Sequence, residues 1–163
     1  MEQVHKLSFY TDGSCSTASR EGGWGFVLVD HDIEKVSFDY GAASDTTNNR
    51  MELTAFLNAL IKIEHIIPFS KDTYEITVFS DSAYIVNCLL QNWYKKWLLN
   101  GWHTSNRMPV KNKDLWQEII YSYERIEKDK SFKLTIEKVK GHSADKYNDL
   151  ADECANKWRL RLK

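Results

Sequence analysis

The sequence predicts a single α/β domain over residues 1–163, in which helices cover both faces of a five-stranded mixed sheet. Three observations support this. The length suffices for one substantial core. Three β-prone segments joined by short turns open the chain, as in an antiparallel meander. Two later β-prone segments are reached through helices, so strands 4 and 5 should lie parallel to strand 1.

Composition narrows the classes of protein. With 42% hydrophobic and 28% charged residues, the chain should be soluble and globular rather than disordered. No apolar run approaches the roughly 20 residues that span a membrane. The three cysteines are widely spaced and form no CxxC pair, which favours a reducing cytoplasm over a zinc site or disulfide framework. A net charge of −1 gives no global sign of nucleic-acid binding.

The first three strands are predicted from short apolar segments. In the first, at residues 4–11, Leu7 and Phe9 alternate with Ser8 and Tyr10. A polar loop follows, and the next two strands are expected at residues 24–29 and 36–41.

A long helix follows polar, cap-forming residues and should stop near Ile66, before Pro68. Glu52 is placed in its first turn, where the positive end of the helix dipole favours a carboxylate. The rest of the chain predicts a strand ending at Ser80, helices at residues 83–90 and 114–128, a strand at 132–139 and a closing helix at 148–161.

Asp12 is the first candidate functional residue, because it ends an apolar strand. An Asp-Gly pair commonly starts a turn. The alternative is a carboxylate inside the core, which is costly to desolvate unless a cation compensates its charge. Asp81 repeats the pattern at the end of strand 4, the edge at which open α/β sheets carry their sites.

Residues 91–113 differ from the rest of the chain, since they contain five basic residues and no Asp or Glu. Three of the six tryptophans also lie here. Basic residues interleaved with aromatic residues favour a surface that follows a nucleic-acid backbone and stacks on bases. The alternative is an amphipathic helix with tryptophans in the core and lysines in solvent.

If strands 1 and 4 are neighbours, Asp12 and Asp81 lie side by side, with Glu52 and an acid of the closing helix nearby. Clustered carboxylates repel one another unless cations neutralise them. Oxygen ligands suit Mg²⁺ or Mn²⁺. Two such ions about 4 Å apart can activate water and stabilise the leaving oxygen in phosphodiester cleavage.

Five motifs, in order along residues 5–160, resemble type 1 ribonuclease H, in particular bacterial members with a basic protrusion. They are YTDGSC at residues 10–15, TTNNRMEL at 46–53, SDSAY at 80–84, PVKNKDLW at 109–116, and Gly141-His142 followed by Asn148 and Asp152. The resemblance implies a ribonuclease H-like fold. It also implies an endonuclease that cuts the RNA strand of RNA–DNA hybrids between phosphate and the ribose 3′ oxygen, leaving 5′-phosphate products.

The resemblance assigns roles residue by residue. Asp12, Glu52 and Asp81 match three metal-binding carboxylates, and spacing from the histidine loop favours Asp152 over Asp149 as the fourth. His142 matches the loop histidine that assists proton transfer or product release. Two Mg²⁺ ions, replaceable by Mn²⁺, are the implied cofactors.

The same resemblance implies which residues contact the RNA–DNA hybrid. It also implies that the protein is a monomer. The 2′-hydroxyl of RNA should meet the backbone of the turn at residues 12–15 and Asn48, while Thr47 contributes to a DNA-phosphate pocket. The full set of expected contacts is Gly13, Ser14, Cys15, Thr47, Asn48, Asn49, Trp93, Lys95, Lys96, Trp97, Trp102 and Lys111. The chain departs from several bacterial members at Ala83 and in the loop around Ala18.

Two other functions fit the sequence less well. A related nuclease acting on DNA would use the same carboxylates. A catalytically silent hybrid-binding module would not need all four acids and His142.

Overall fold

The computed structural model describes residues 2–66, 71–139 and 146–161. Its strands are β1 (Val4–Cys15), β2 (Gly22–Asp30), β3 (Lys35–Ala43), β4 (Thr73–Ser80) and β5 (Phe132–Lys138). Its helices are α1 (Asn48–Glu64), α2 (Ala83–Leu90), α3 (Trp93–Asn100), α4 (Lys113–Lys128) and α5 (Lys146–Arg161).

The strands form one mixed sheet in the order β3-β2-β1-β4-β5. β1 pairs antiparallel with β2, which pairs antiparallel with β3. β1 and β4 are parallel, as are β4 and β5. The predicted fold class is therefore confirmed.

The alternation of side chains along β1 separates two layers of core. Phe9 points to the face covered by α1 and α4, where it packs in the main cluster with residues such as Phe56 and Trp116. Tyr10 points to the opposite face and packs in a smaller cluster with Val27 and with Ala151 of α5. Because side chains of a strand alternate between faces, each β1 residue is committed to one of these layers.

Three local expectations were wrong. Residues 12–15 do not form a turn, since they continue β1 and pair with residues 22–25 of β2. α1 begins at Asn48 after the capping residue Thr47, so Glu52 lies beyond the first turn, which carries no acidic residue. The closing helix begins at Lys146, two residues earlier than expected.

Within the described residues, no helix is both long enough and apolar enough to cross a membrane.

Candidate active site at the carboxyl edge of the sheet

The parallel pairing of β1 with β4 brings two predicted carboxylates together. Thr11 is the partner of Ser80 in the register, so Asp12 and Asp81 follow neighbouring positions at the same edge. Asp12 still lies within β1, opposite Gly25 of β2, and is 8% exposed. Asp81 directly follows the last residue of β4, and Ser82 then caps α2.

A glycine allows Glu52 to approach this edge. A Cβ on Gly13 would lie 2.2 Å from the carbonyl carbon of Met51 and 2.3 Å from the backbone nitrogen of Glu52. Only a residue without a side chain lets α1 cross β1 so closely. Glu52 therefore reaches the carboxyl edge of the sheet, where its side chain interacts electrostatically with Asp81 and accepts a hydrogen bond from Ser82.

A second glycine admits α5 on the opposite face. A Cβ on Gly25 would lie 2.6 Å from Cβ of Cys154. Since Gly25 is the register partner of Asp12, α5 crosses the sheet directly beside that carboxylate. Asp152 of α5 shares a hydrogen bond with Asp12. Both acids are exposed, but Asp149, the competing acid, lies in the first turn of α5 and is not among the groups that interact with Asp12.

The electrostatics show how unfavourable this convergence is for charged carboxylates. Burial is the largest cause that raises the pKa of Asp12 to about 9, followed by the hydrogen bond with Asp152 and the charge of Asp81. Burial and then Asp81 raise the pKa of Glu52 to about 7. Burial also raises the pKa of Asp81, while the charge of Lys138 lowers it. Without a compensating cation, Asp12 therefore retains a proton at neutral pH.

The donor set fits a hard divalent cation. All four side chains offer carboxylate oxygens, which Mg²⁺ and Mn²⁺ prefer. Asp81 Oδ1 is buried without a hydrogen-bond partner, so one oxygen is left available at a place where an unsatisfied acceptor is costly. Among the described residues, no three His, Cys, Asp or Glu side chains form a ready coordination sphere. The acids interact in pairs, and a cation would have to draw them closer.

His142 lies outside the described residues, so its expected role stays a prediction.

The residues expected to read the 2′-hydroxyl adjoin the carboxylates, but several of their polar groups already have partners. The amide of Cys15 donates to Asn48 Oδ1 at 2.6 Å, which links β1 to the start of α1. Ser14 Oγ donates to Asn156 Oδ1 at 2.8 Å. The hydroxyl of Thr47 accepts from the amide of Arg50 at 3.1 Å. Asn49 is exposed beside this cap.

The basic segment, residues 91–113, has some side chains in the core and others in solvent. Trp97, expected to contact substrate, is a core residue instead: it is 8% exposed and packs edge-on against Trp116 with ring centroids 5.5 Å apart. Trp93 and Trp102 are half-buried against the same cluster. The lysines Lys95, Lys96 and Lys111 are exposed. The structure thus has the amphipathic helix of the alternative interpretation, with its lysine face still open to a polyanion.

Two features of the site were missed from sequence. Gly25 had a signal, since a glycine inside a strand often marks a close approach of another backbone. Lys138 had none, because its proximity to Asp81 depends on the register between β4 and β5.

Comparison with known proteins agrees with this architecture. The model of the RNase H family matches residues 4–159. A ribonuclease H of Acetivibrio thermocellus is 45% identical over 154 residues, which are 93% of each chain. A ribonuclease H of Chlorobaculum parvum is 41% identical over 157 residues, 96% of this chain and 95% of the relative.

Solved structures share the fold at lower identity. LC9-RNase H1, described as a type 1 RNase H with the type 2 active-site motif, superposes with a TM-score of 0.75 at 22% identity, covering 98% of this chain and 74% of its own. The PFV RNase H domain gives a TM-score of 0.75 at 23% identity, covering 97% and 96%. The chain therefore belongs to the RNase H family and is an endonuclease of the hydrolase class.

Proposed function

We propose that this endonuclease hydrolyses the RNA strand of RNA–DNA hybrids with two divalent metal ions, Mg²⁺ or in its place Mn²⁺. The observation that carries the proposal is the convergence of Asp12, Glu52 and Asp81 with Asp152 at one sheet edge. Burying several carboxylates is costly unless cations balance them. The members of the family are generally dependent on divalent metals, which agrees with this donor set.

The four carboxylates would hold the ions, with Asp12 as the most buried ligand. When bound, divalent ions activate the attacking water and stabilise the leaving 3′ oxygen, which leaves a 5′-phosphate on the product. The role of the protein itself is to position these carboxylates. Gly13 and Gly25 set the distances of α1 and α5 from β1, and Ser82 fixes Glu52. His142 is proposed to assist proton transfer or product release.

Hybrid selectivity would come from the neighbouring residues. Only the RNA strand has a 2′-hydroxyl, which can both donate and accept a hydrogen bond. The backbone of β1 at residues 13–15 and the side chain of Asn48 border the carboxylates and offer both kinds of group. The exposed lysines at positions 95, 96 and 111 would attract the DNA strand. A structurally similar foamy viral protease-reverse transcriptase, of which this fold covers 20%, was solved in complex with an RNA/DNA hybrid.

A cleavage assay tests the proposal. Labelled hybrid, duplex DNA and duplex RNA would be incubated with the protein in Mg²⁺, in Mn²⁺ and in EDTA. We expect cleavage of the RNA strand of the hybrid alone, dependent on the metal, with 5′-phosphate ends. Cutting of duplex DNA would favour a DNA-acting nuclease, and metal-independent or absent turnover would contradict the mechanism.

A matched pair of variants tests the site. Asp12→Asn should fold and lose at least 100-fold in kcat, about the loss expected when one essential electrostatic group is removed. Asp149→Asn also removes one carboxylate charge, but from an exposed position of α5 that does not interact with the other acids, so it should retain cleavage. Equal effects of the two substitutions would contradict the assignment of these acids.

A further inference from the structure

Lys138 occupies a place at the site that neither the carboxylates nor the basic segment accounts for. It is the last residue of β5 and the register partner of Ser80, the residue before Asp81. The amide of Val139 donates to the carbonyl of Ser80 at 3.0 Å, so the two strands stay paired up to this edge. The lysine therefore flanks the carboxylates on the side of β5, away from Asp12.

The ammonium group of Lys138 is available for a ligand. The residue is exposed, and it forms no ion pair or hydrogen bond with any side chain of the described part of the chain. Its register position beside Ser80 brings it near Asp81, whose pKa burial raises overall and whose rise the charge of Lys138 opposes only weakly. Among the residues that the structure describes, it thus places a positive charge without an ion-pair partner beside the carboxylates.

A phosphodiester strand needs such a charge here. Each nucleotide carries one negative charge, and the carboxylates repel the strand wherever bound metal does not fully offset them. The exposed lysines of residues 91–113 lie on the segment proposed above to hold the DNA strand. A cation beside Asp81 would instead meet the strand that passes over the carboxylates.

We propose that Lys138 binds a phosphate of the RNA strand next to the bond that is cut, and so is a substrate-binding residue of this site. This inference rests on the proposed function. Lys138 acts on affinity for the hybrid through its charge, and it leaves the metal ligands and the chemical step unchanged.

Lys133 provides a matched control, because it is an exposed lysine of the same strand but pairs with Glu75, far from the carboxyl edge. Lys138→Gln and Lys133→Gln therefore remove the same charge from β5. We expect Lys138→Gln to raise KM for the hybrid roughly three- to tenfold with little change in kcat, as for loss of one phosphate contact. Lys133→Gln should match the wild type, and Lys138→Arg should restore most of the affinity.

Binding without turnover gives a second readout. In the cleavage-deficient Asp12→Asn background, fluorescence anisotropy with a labelled hybrid should show a weaker Kd when Lys138→Gln is added. The slope of log Kd against log salt concentration should become shallower by about one.

Several results would overturn the inference. One is a Lys138→Gln variant that behaves like Lys133→Gln while the wild type cleaves hybrids, in which case the proposed function stands. Another is an increased Mg²⁺ concentration for half-maximal activity with unchanged Kd, which would mean that Lys138 acts through Asp81. If the wild type does not cleave hybrids at all, the proposed function fails and this inference falls with it.

Discussion

Asp12 is the residue at which burial and charge conflict most strongly. It is enclosed by the sheet and α5, and its hydrogen bond with Asp152 requires a proton between the two carboxyl groups. The metal-free protein accordingly holds that proton up to a pKa of about 9, against 3.8 for an ordinary Asp. The same residue that suits a cation therefore makes the metal-free fold sensitive to pH.

The sign of this effect gives a first prediction. Between pH 4 and 9 the native state binds more protons at Asp12 than the unfolded chain, so the free energy of unfolding falls as pH rises. The slope is at most about 1.4 kcal/mol per pH unit for one group. Asp12→Asn removes this pH-dependent destabilisation. In EDTA the Tm of the variant should therefore exceed that of the wild type at pH 8, and the difference in Tm should be smaller at pH 5.

Thermal unfolding in EDTA across this pH range provides the measurement. Asp149→Asn, which replaces an exposed carboxyl group away from Asp12, serves as the control. Parallel profiles for Asp12→Asn and the wild type would show that Asp12 titrates normally.

At the scale of the elements, the crossing of β1 and α1 depends on one glycine. A methyl group at position 13 would meet the backbone of Met51 and Glu52 at 2.2 and 2.3 Å, which no side-chain rotation can relieve. Gly13→Ala should therefore lower the free energy of unfolding by about 1–3 kcal/mol or more through overpacking. The variant should also have a lower kcat, because a shift of α1 away from β1 would move Glu52 away from Asp81.

Urea unfolding and steady-state cleavage would measure both effects. Ser37→Ala, a small change at a half-buried position of β3, should alter neither. Normal stability of Gly13→Ala would mean that α1 can shift without cost, contrary to the close contact.

Helix α3 gives the next prediction, because Trp97, one of its two tryptophans, is buried in the core. Trp97 packs against Trp102 and Trp116, with ring centroids 5.8 and 5.5 Å away. Trp97→Ala should lower the free energy of unfolding by about 3–5 kcal/mol, as for other buried aromatic residues. Lys96→Gln, on the exposed face of the same helix, should leave stability nearly unchanged and weaken hybrid binding.

Denaturant unfolding and hybrid binding separate these roles. A stable Trp97→Ala variant with impaired binding would restore Trp97 as a substrate contact.

Across the whole molecule, the sheet edge opposite the candidate site carries its own charged cluster. His5 bonds Asp32 through Nδ1 at 2.8 Å and Asp72 through Nε2 at 2.9 Å, and its ring stacks on Tyr74. Two carboxylate partners require protons on both ring nitrogens, so the imidazolium form is favoured. The hydrogen bond with Asp72 and then that with Asp32 raise the pKa of His5 above its ordinary value of 6.5.

The stabilisation from His5 is therefore fully present below pH 6.5 and is lost as pH rises through the elevated pKa of the folded protein. His5→Gln should lower Tm at pH 6 more than at pH 9, as measured by thermal unfolding. Cleavage by the folded variant should be unchanged, because His5 lies at the other end of β1. His65→Gln, in which an exposed histidine outside this cluster is replaced, serves as the control.

The order of elements followed from local information. Alternation in β1 and helical spacing after Thr47 are properties of neighbouring residues, and they fixed the strand and helix sequence that yields the mixed sheet. The acidic residues at strand ends were visible in the same way. Because these signals are local, they left open whether Asp12 begins a turn and which way α3 faces.

The sequence by itself thus determined the fold class, the family and the candidates for the site. Only the tertiary structure decided that Asp12 remains within a paired strand, that Asp152 rather than Asp149 meets it, and that Trp97 is buried. It also placed Lys138 beside Asp81. Each of these outcomes depends on strand register or helix rotation, which packing between distant segments sets and no short stretch of sequence contains.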